Sequence, residues 1–110
     1  MPHYLTEVAY TSQAWSALVK NPVNRIDQIR PAIERLGGRI INGYMAFGEY
    51  DVVLITELPT NTDAAAIAIA AAAGGSVRAI KTTALLNAEE AIEALKKAAG
   101  TGYRAVGAGA

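Results

Sequence analysis

The residues with the most chemical potential gather around one hairpin: Asn42, Tyr44, Tyr50 and Asp51. Asp51 stands at a strand start beside Tyr50, and the period-two alternation of strands puts Asn42 and Tyr44 on its face of the partner strand. A carboxylate so placed could serve as a general base with Tyr44 orienting a substrate, or it could bind a polar ligand. It could equally accept hydrogen bonds from turn amides or from a neighbouring subunit, and that structural role is the preferred reading. His3 is the only histidine and the other candidate base, since an imidazole titrates near neutral pH. A lone histidine at a terminus is more commonly just exposed. Buried hydroxyls and amides need partners in any setting, so hydrogen bonding in an interface explains Tyr44 and Asn42 as well as a ligand does.

Several chemistries are excluded. The chain has no cysteine, which removes disulfides, thiolate nucleophiles and thiolate-bound zinc. One histidine cannot build a multi-histidine metal site, and no metal or cofactor is expected. Gly37-Gly38 and Gly74-Gly75 follow helices instead of opening them, so the helix dipole points the wrong way for phosphate. Ten basic and ten acidic residues cancel without a basic cluster, which argues against a nucleic-acid partner. Lys81-Thr82-Thr83 could hold an anion but reads better as a solvated edge strand. Met1 to Tyr10 lacks the pattern of a signal peptide, and the apolar run Ala64 to Ala73 is too short to cross a bilayer. A soluble cytoplasmic protein without a membrane partner is the expectation.

The elements that must position these residues are legible in outline. Tyr4 to Tyr10 alternates as a strand, and Thr11-Ser12 caps a helix from Gln13 to Lys20. Asn21-Pro22 resembles a second helix start, followed by Val23, Ile26, Ile29, Ile33 and Leu36 at helical spacing across Pro31, with Gly37-Gly38 as the stop. A kinked helix is expected there. Arg39 to Phe47 and Tyr50 to Leu58 form a hairpin; Gly48-Glu49 suits a type II′ turn with Gly48 at positive φ. That turn pairs Met45 with Val52, Gly43 with Leu54, Tyr44 with Val53, and Asn42 with Ile55. Asn61 or Thr62 caps an alanine-rich helix ending near Ala73, Ser76 to Leu86 is a weaker strand, and Asn87-x-x-Glu90 is a capping box before a last helix. Trp15, Phe47 and Tyr10 are expected in the core.

This order is the split βαββαβ pattern of ferredoxin-like α+β domains, with an antiparallel four-stranded sheet and one extra C-terminal helix. Residues 1–99 make a single domain and 100–110 a flexible Gly/Ala-rich tail carrying Tyr103 and Arg104. Both crossover helices of such a fold cover one face of the sheet. Ile40, Tyr44, Val53 and Ile55 are then left bare on the other, which predicts that the chain associates with itself as a homodimer or larger homo-oligomer.

Gly48-Glu49-Tyr50-Asp51 followed by Val52-Val53-Leu54-Ile55 resembles the signature of the GYD-domain family, small proteins of the dimeric α/β-barrel superfamily. The stretches Ala14-Trp15-x-Ala17-Leu18-Val19-Lys20-Asn21-Pro22, Leu36-Gly37-Gly38, Ala73-Gly74-Gly75 and Ala79-Ile80-Lys81-Thr82-Thr83 are similar to one branch of it, and so is the tail from Ala99 to Arg104. The resemblance implies a ferredoxin-like fold paired into a dimeric barrel; it implies no particular activity. Many members carry an aromatic residue and a threonine where this chain has Met45 and Ala46, so a pocket lined by these positions is less polar here.

Two functional readings follow. One is a binding or regulatory module that holds a small, mostly apolar ligand, with Asn42, Tyr44, Tyr50 and Asp51 as ligand-binding candidates. The other is a cofactor-independent enzyme, an isomerase or monooxygenase acting on an acidic C–H, with Asp51 or His3 as base. The binding module is preferred because no paired acid and base can be named, and fold analogy alone does not assign an activity.

Overall fold

The computed structural model describes residues 1–107. Along the chain it contains β1 (His3–Tyr10), α1 (Ser12–Lys20), α2 (Arg25–Arg35), β2 (Arg39–Met45), β3 (Val52–Glu57), α3 (Asn61–Ala73), β4 (Val77–Leu85) and α4 (Ala88–Ala99). The strands form one antiparallel sheet in the order β2-β3-β1-β4, an α+β ferredoxin-like arrangement. The tail expected over 100–110 is described as far as Gly107, and its last three residues lie outside the described residues. Among the described residues no helix is long and apolar enough to cross a membrane.

Side-chain caps set the helix starts. Thr11 accepts from the Ala14 N–H, and Asn87 with Glu90 completes the expected capping box. Two starts differ from the sequence reading. Helix α2 is capped by Asn24, whose side chain accepts from the Asp27 N–H, while Asn21 closes α1. Starting there puts Asp27 in the first turn, where a carboxylate favours the positive end of the helix dipole. The helix continues across Pro31. Helix α3 is capped by Thr60 and not by Asn61 or Thr62. Asn61 is engaged elsewhere: its side-chain oxygen accepts from the Tyr4 hydroxyl at 2.5 Å, tying α3 to β1.

The core lies between the sheet and its helices. Tyr4, Thr6, Val8 and Tyr10 of β1 share the covered face with Val52, Leu54 and Thr56 of β3, and Ile33, Leu58 and Ala64 close over them. The β2–β3 register is the one expected, from Asn42 opposite Ile55 to Met45 opposite Val52. Its two ends depart from the reading. A register shift between Ile40 and Asn42 inserts Ile41 as an extra residue, so Ile40 sits opposite Thr56 in the core instead of on the bare face with Tyr44. At the other end the strands stop at Met45 and Val52, with a single further bond from the Ala46 N–H to the Asp51 carbonyl at 2.8 Å. Positive φ occurs at Gly37, Gly75, Gly102 and Gly107 but not at Gly48, so the connection is not a type II′ turn. Phe47 in that loop is fully exposed, against the expectation of a core position.

Among the described residues no helix packs across the opposite face of the sheet, and only Met1, Leu86, Asn87 and Glu90 border it beside Ile55 and Leu85. Leu5, Val53, Ile55 and Leu85 are partly buried there by their neighbours, and Tyr44 is exposed. Helix α4 makes only marginal contact with the other elements and leaves Ile92 and Leu95 in solvent. The molecule is therefore 62 Å long with a radius of gyration of 17.8 Å. A compact domain of this length would have about 13 Å.

Candidate ligand-binding cavity

The alanines of α3 determine what lies beneath it. A helix carrying leucines would fill the space over the sheet; here Ala70 and Ala71, with Ala32 from α2, reach only one carbon inward. The result is a cavity of about 290 Å³ between α2, α3 and the sheet. Thr6, Val8, Leu54, Thr56 and Ile80 form its floor, and Ile29, Ile33 and Ile67 line it from the helices. For scale, an engineered apolar cavity of about 150 Å³ admits benzene.

Few polar groups interrupt this lining. The Thr56 hydroxyl is fully buried and has no hydrogen-bond partner among the described residues, on a residue only 1% exposed. Leaving such a group unpaired costs about 1–3 kcal/mol, and an unmet buried hydroxyl calls for a water or ligand atom. At the other end Tyr10 is buried, its ring held edge-on against Trp15 at 5.5 Å between centroids. Its hydroxyl accepts a long bond of 3.4 Å from Arg25 Nε. Arg25 Nη1 donates to Gln28 Oε1 at 2.7 Å. A second hollow of about 310 Å³ between α1 and α2 shares Tyr10, Arg25, Gln28 and Ser76 with the first. The polar residues thus stand where the two spaces meet.

The sequence candidates lie elsewhere. Asp51 is buried at the end of β1, where its carboxylate accepts from the Tyr10 N–H at 2.8 Å and its own N–H donates to the Val8 carbonyl at 2.7 Å. It extends the β1–β3 ladder beyond Val8 and Val52, beside the point where the pairing of β1 with β4 shifts between Ala9 and Tyr10. Asn42 and Tyr44 are exposed and Tyr50 is partly buried; among the described residues no hydrogen bond joins any of them to Asp51. His3 is 3.5 Å from Glu57 at the far end of β1. Six residues of strand, about 20 Å, separate it from the Asp51 level. None of these five residues lines the cavity under α3. Lys81, Thr82 and Thr83 are exposed on β4, an edge strand, as expected.

The cavity was missed because it is made by what side chains fail to fill. The signal present in the sequence was the alanine run itself, with Ile67 and Ile69 as its only large residues. Ile69 is in fact exposed, which leaves Ile67 as the one large side chain of α3 over the sheet.

Fold and cavity together define a ferredoxin-like α+β domain with an apolar chamber between its helices and its sheet. The family model of the GYD domain matches residues 4–95, and the chain belongs to that family. No curated protein matches it.

Proposed function

We propose that this protein is a binding module for a small, mostly apolar molecule, held in the cavity between α2, α3 and the sheet. The observation that carries this reading is the buried, unpartnered Thr56 hydroxyl in a chamber walled mostly by aliphatic side chains. Small-molecule sites have this character: apolar walls with a few placed polar groups. The lining contains no carboxylate and no imidazole, so neither Asp51 nor His3 is placed to act as a base there, which favours binding over acid–base catalysis.

The working unit is proposed to be a homodimer. Support comes from two apolar surfaces that a single chain leaves open, the bare sheet face and the α4 stripe carrying Ile92 and Leu95. Both belong to the same chain, so a second copy can cover each of them, with Asn42 and Tyr44 hydrogen-bonded in the interface.

Octan-1-ol is a suitable neutral probe, tested by thermal shift on the parent and on Ala71→Leu. The parent midpoint should rise with the alcohol. The leucine should enter the void, keep or raise the stability of the free protein, and abolish the shift. An equal shift in both proteins would place the ligand elsewhere and contradict the proposal.

A further inference from the structure

The cavity has one charged side chain in its lining, Arg25, and its surroundings give that charge no counter-ion. The ion pairs among the described residues are His3–Glu57, Arg30–Asp27, Arg39–Glu57 and Lys97–Glu93; none includes Arg25. Arg25 is partly buried, and its guanidinium is held by neutral groups only, the Tyr10 hydroxyl and the Gln28 side-chain oxygen. Those contacts use Nε and Nη1. Nη2 makes no contact with a protein acceptor among the described residues.

The donors are neighbours. Because the Tyr10 oxygen accepts from Arg25, its own O–H remains free to donate. Tyr10 is 4% exposed and its ring is fixed by Trp15, so that donor is both buried and positioned. Arg25 is also the first residue of α2, where the helix dipole adds partial positive charge. A guanidinium Nη2 and a neighbouring phenol O–H suit a planar anion, a carboxylate above all, because each of its two oxygens can accept from one of the two donors. Farther in, the walls are aliphatic as far as Thr56, which has no partner among the described residues.

We infer that the ligand is an elongated apolar carboxylate, with its carboxylate on Arg25 and Tyr10 at the mouth and a second oxygen meeting Thr56 at the inner end. This rests on the cavity being a binding site and adds the chemical class of what it binds.

Three probes of one chain length separate the claims: octan-1-ol, octanoate and 8-hydroxyoctanoate, titrated calorimetrically into the full chain. In the parent, octanoate should bind about tenfold more tightly than octan-1-ol, in line with a charge-assisted bidentate contact. Arg25→Gln should bring the two within about twofold, and Arg25→Lys should recover only part of the difference. The 8-hydroxyl should improve on octanoate by about fivefold in the parent and by nothing in Thr56→Val, which keeps shape and loses the hydroxyl. Circular dichroism would confirm that each variant is folded. Equal binding of octanoate and octan-1-ol by the parent overturns the carboxylate assignment but leaves the apolar site standing. Equal binding of octanoate and 8-hydroxyoctanoate overturns the inner contact. Failure of all three to bind at millimolar concentration overturns both the inference and the binding site beneath it.

Discussion

Replacing Asp51 by alanine should destabilise the fold without touching the cavity. The carboxylate is buried and accepts the Tyr10 N–H at 2.8 Å, at the point where the β1–β4 register shifts and the regular ladder is interrupted. Alanine would leave that N–H buried and unpaired, a loss of about 1–3 kcal/mol, and would also remove a charge-assisted bond. A total of about 2–3 kcal/mol is therefore expected, a large share of the ~5–15 kcal/mol that holds a typical domain together. Asp51→Asn keeps an acceptor in the same place and should cost about 1 kcal/mol, since only the charge assistance is lost. Urea unfolding of parent and both variants would measure the differences, with unchanged slopes confirming that the unfolding reaction is the same. An alanine variant within about 0.5 kcal/mol of the parent would refute the structural role. Equal costs for alanine and asparagine would show that the Tyr10 N–H needs the negative charge and not merely an acceptor.

Two glycines offer opposite outcomes. A Cβ at Gly38 would run into the Glu57 carbonyl oxygen and lie 2.6 Å from Leu58 Cδ2, so Gly38→Ala should lose about 3 kcal/mol through overpacking in urea unfolding. At Gly48 a Cβ meets nothing within 4 Å and φ is not positive, so Gly48→Ala should stay within about 0.5 kcal/mol; a large loss would restore the type II′ turn. Sedimentation of the full chain at micromolar concentration should show a dimer, and Ile92→Glu combined with Leu95→Glu should weaken it. A parent that sediments as a monomer would contradict the proposed pairing.

The parts of the fold that follow from alternation and capping were legible in the residues. The hairpin register follows the one set by a type II′ turn that the structure does not contain; it holds because a one-residue slip would turn Val52 and Leu54 out of the core. The Ile40–Asn42 bulge was not legible, since Arg39-Ile40-Ile41-Asn42 contains no glycine to mark it and either isoleucine could serve the core. The turn was misread for a related reason: a glycine between two apolar runs suggests positive φ, but here the loop is six residues long and Gly48 has no need of it. Asp51 was visible as a singular residue, but its partner, the Tyr10 amide at the end of β1, is not one of the turn amides expected for it. Arg25 and Thr56 could not have been singled out. Their significance comes from facing one void from α2 and β3, and a void depends on the packing distance between elements that local sequence patterns do not report.

The most direct test of the binding site is a methyl-resolved NMR titration of the full chain with octan-1-ol. Shifts are expected at Val8, Ile33, Leu54, Ile67 and Ile80, which surround the cavity, together with the Thr56 methyl group. Val53, Ile55 and Leu85 on the opposite face of the sheet should stay still. Shifts confined to those three, or no saturable shift at any cavity methyl, would contradict the assignment of this chamber as the site where the protein holds its ligand.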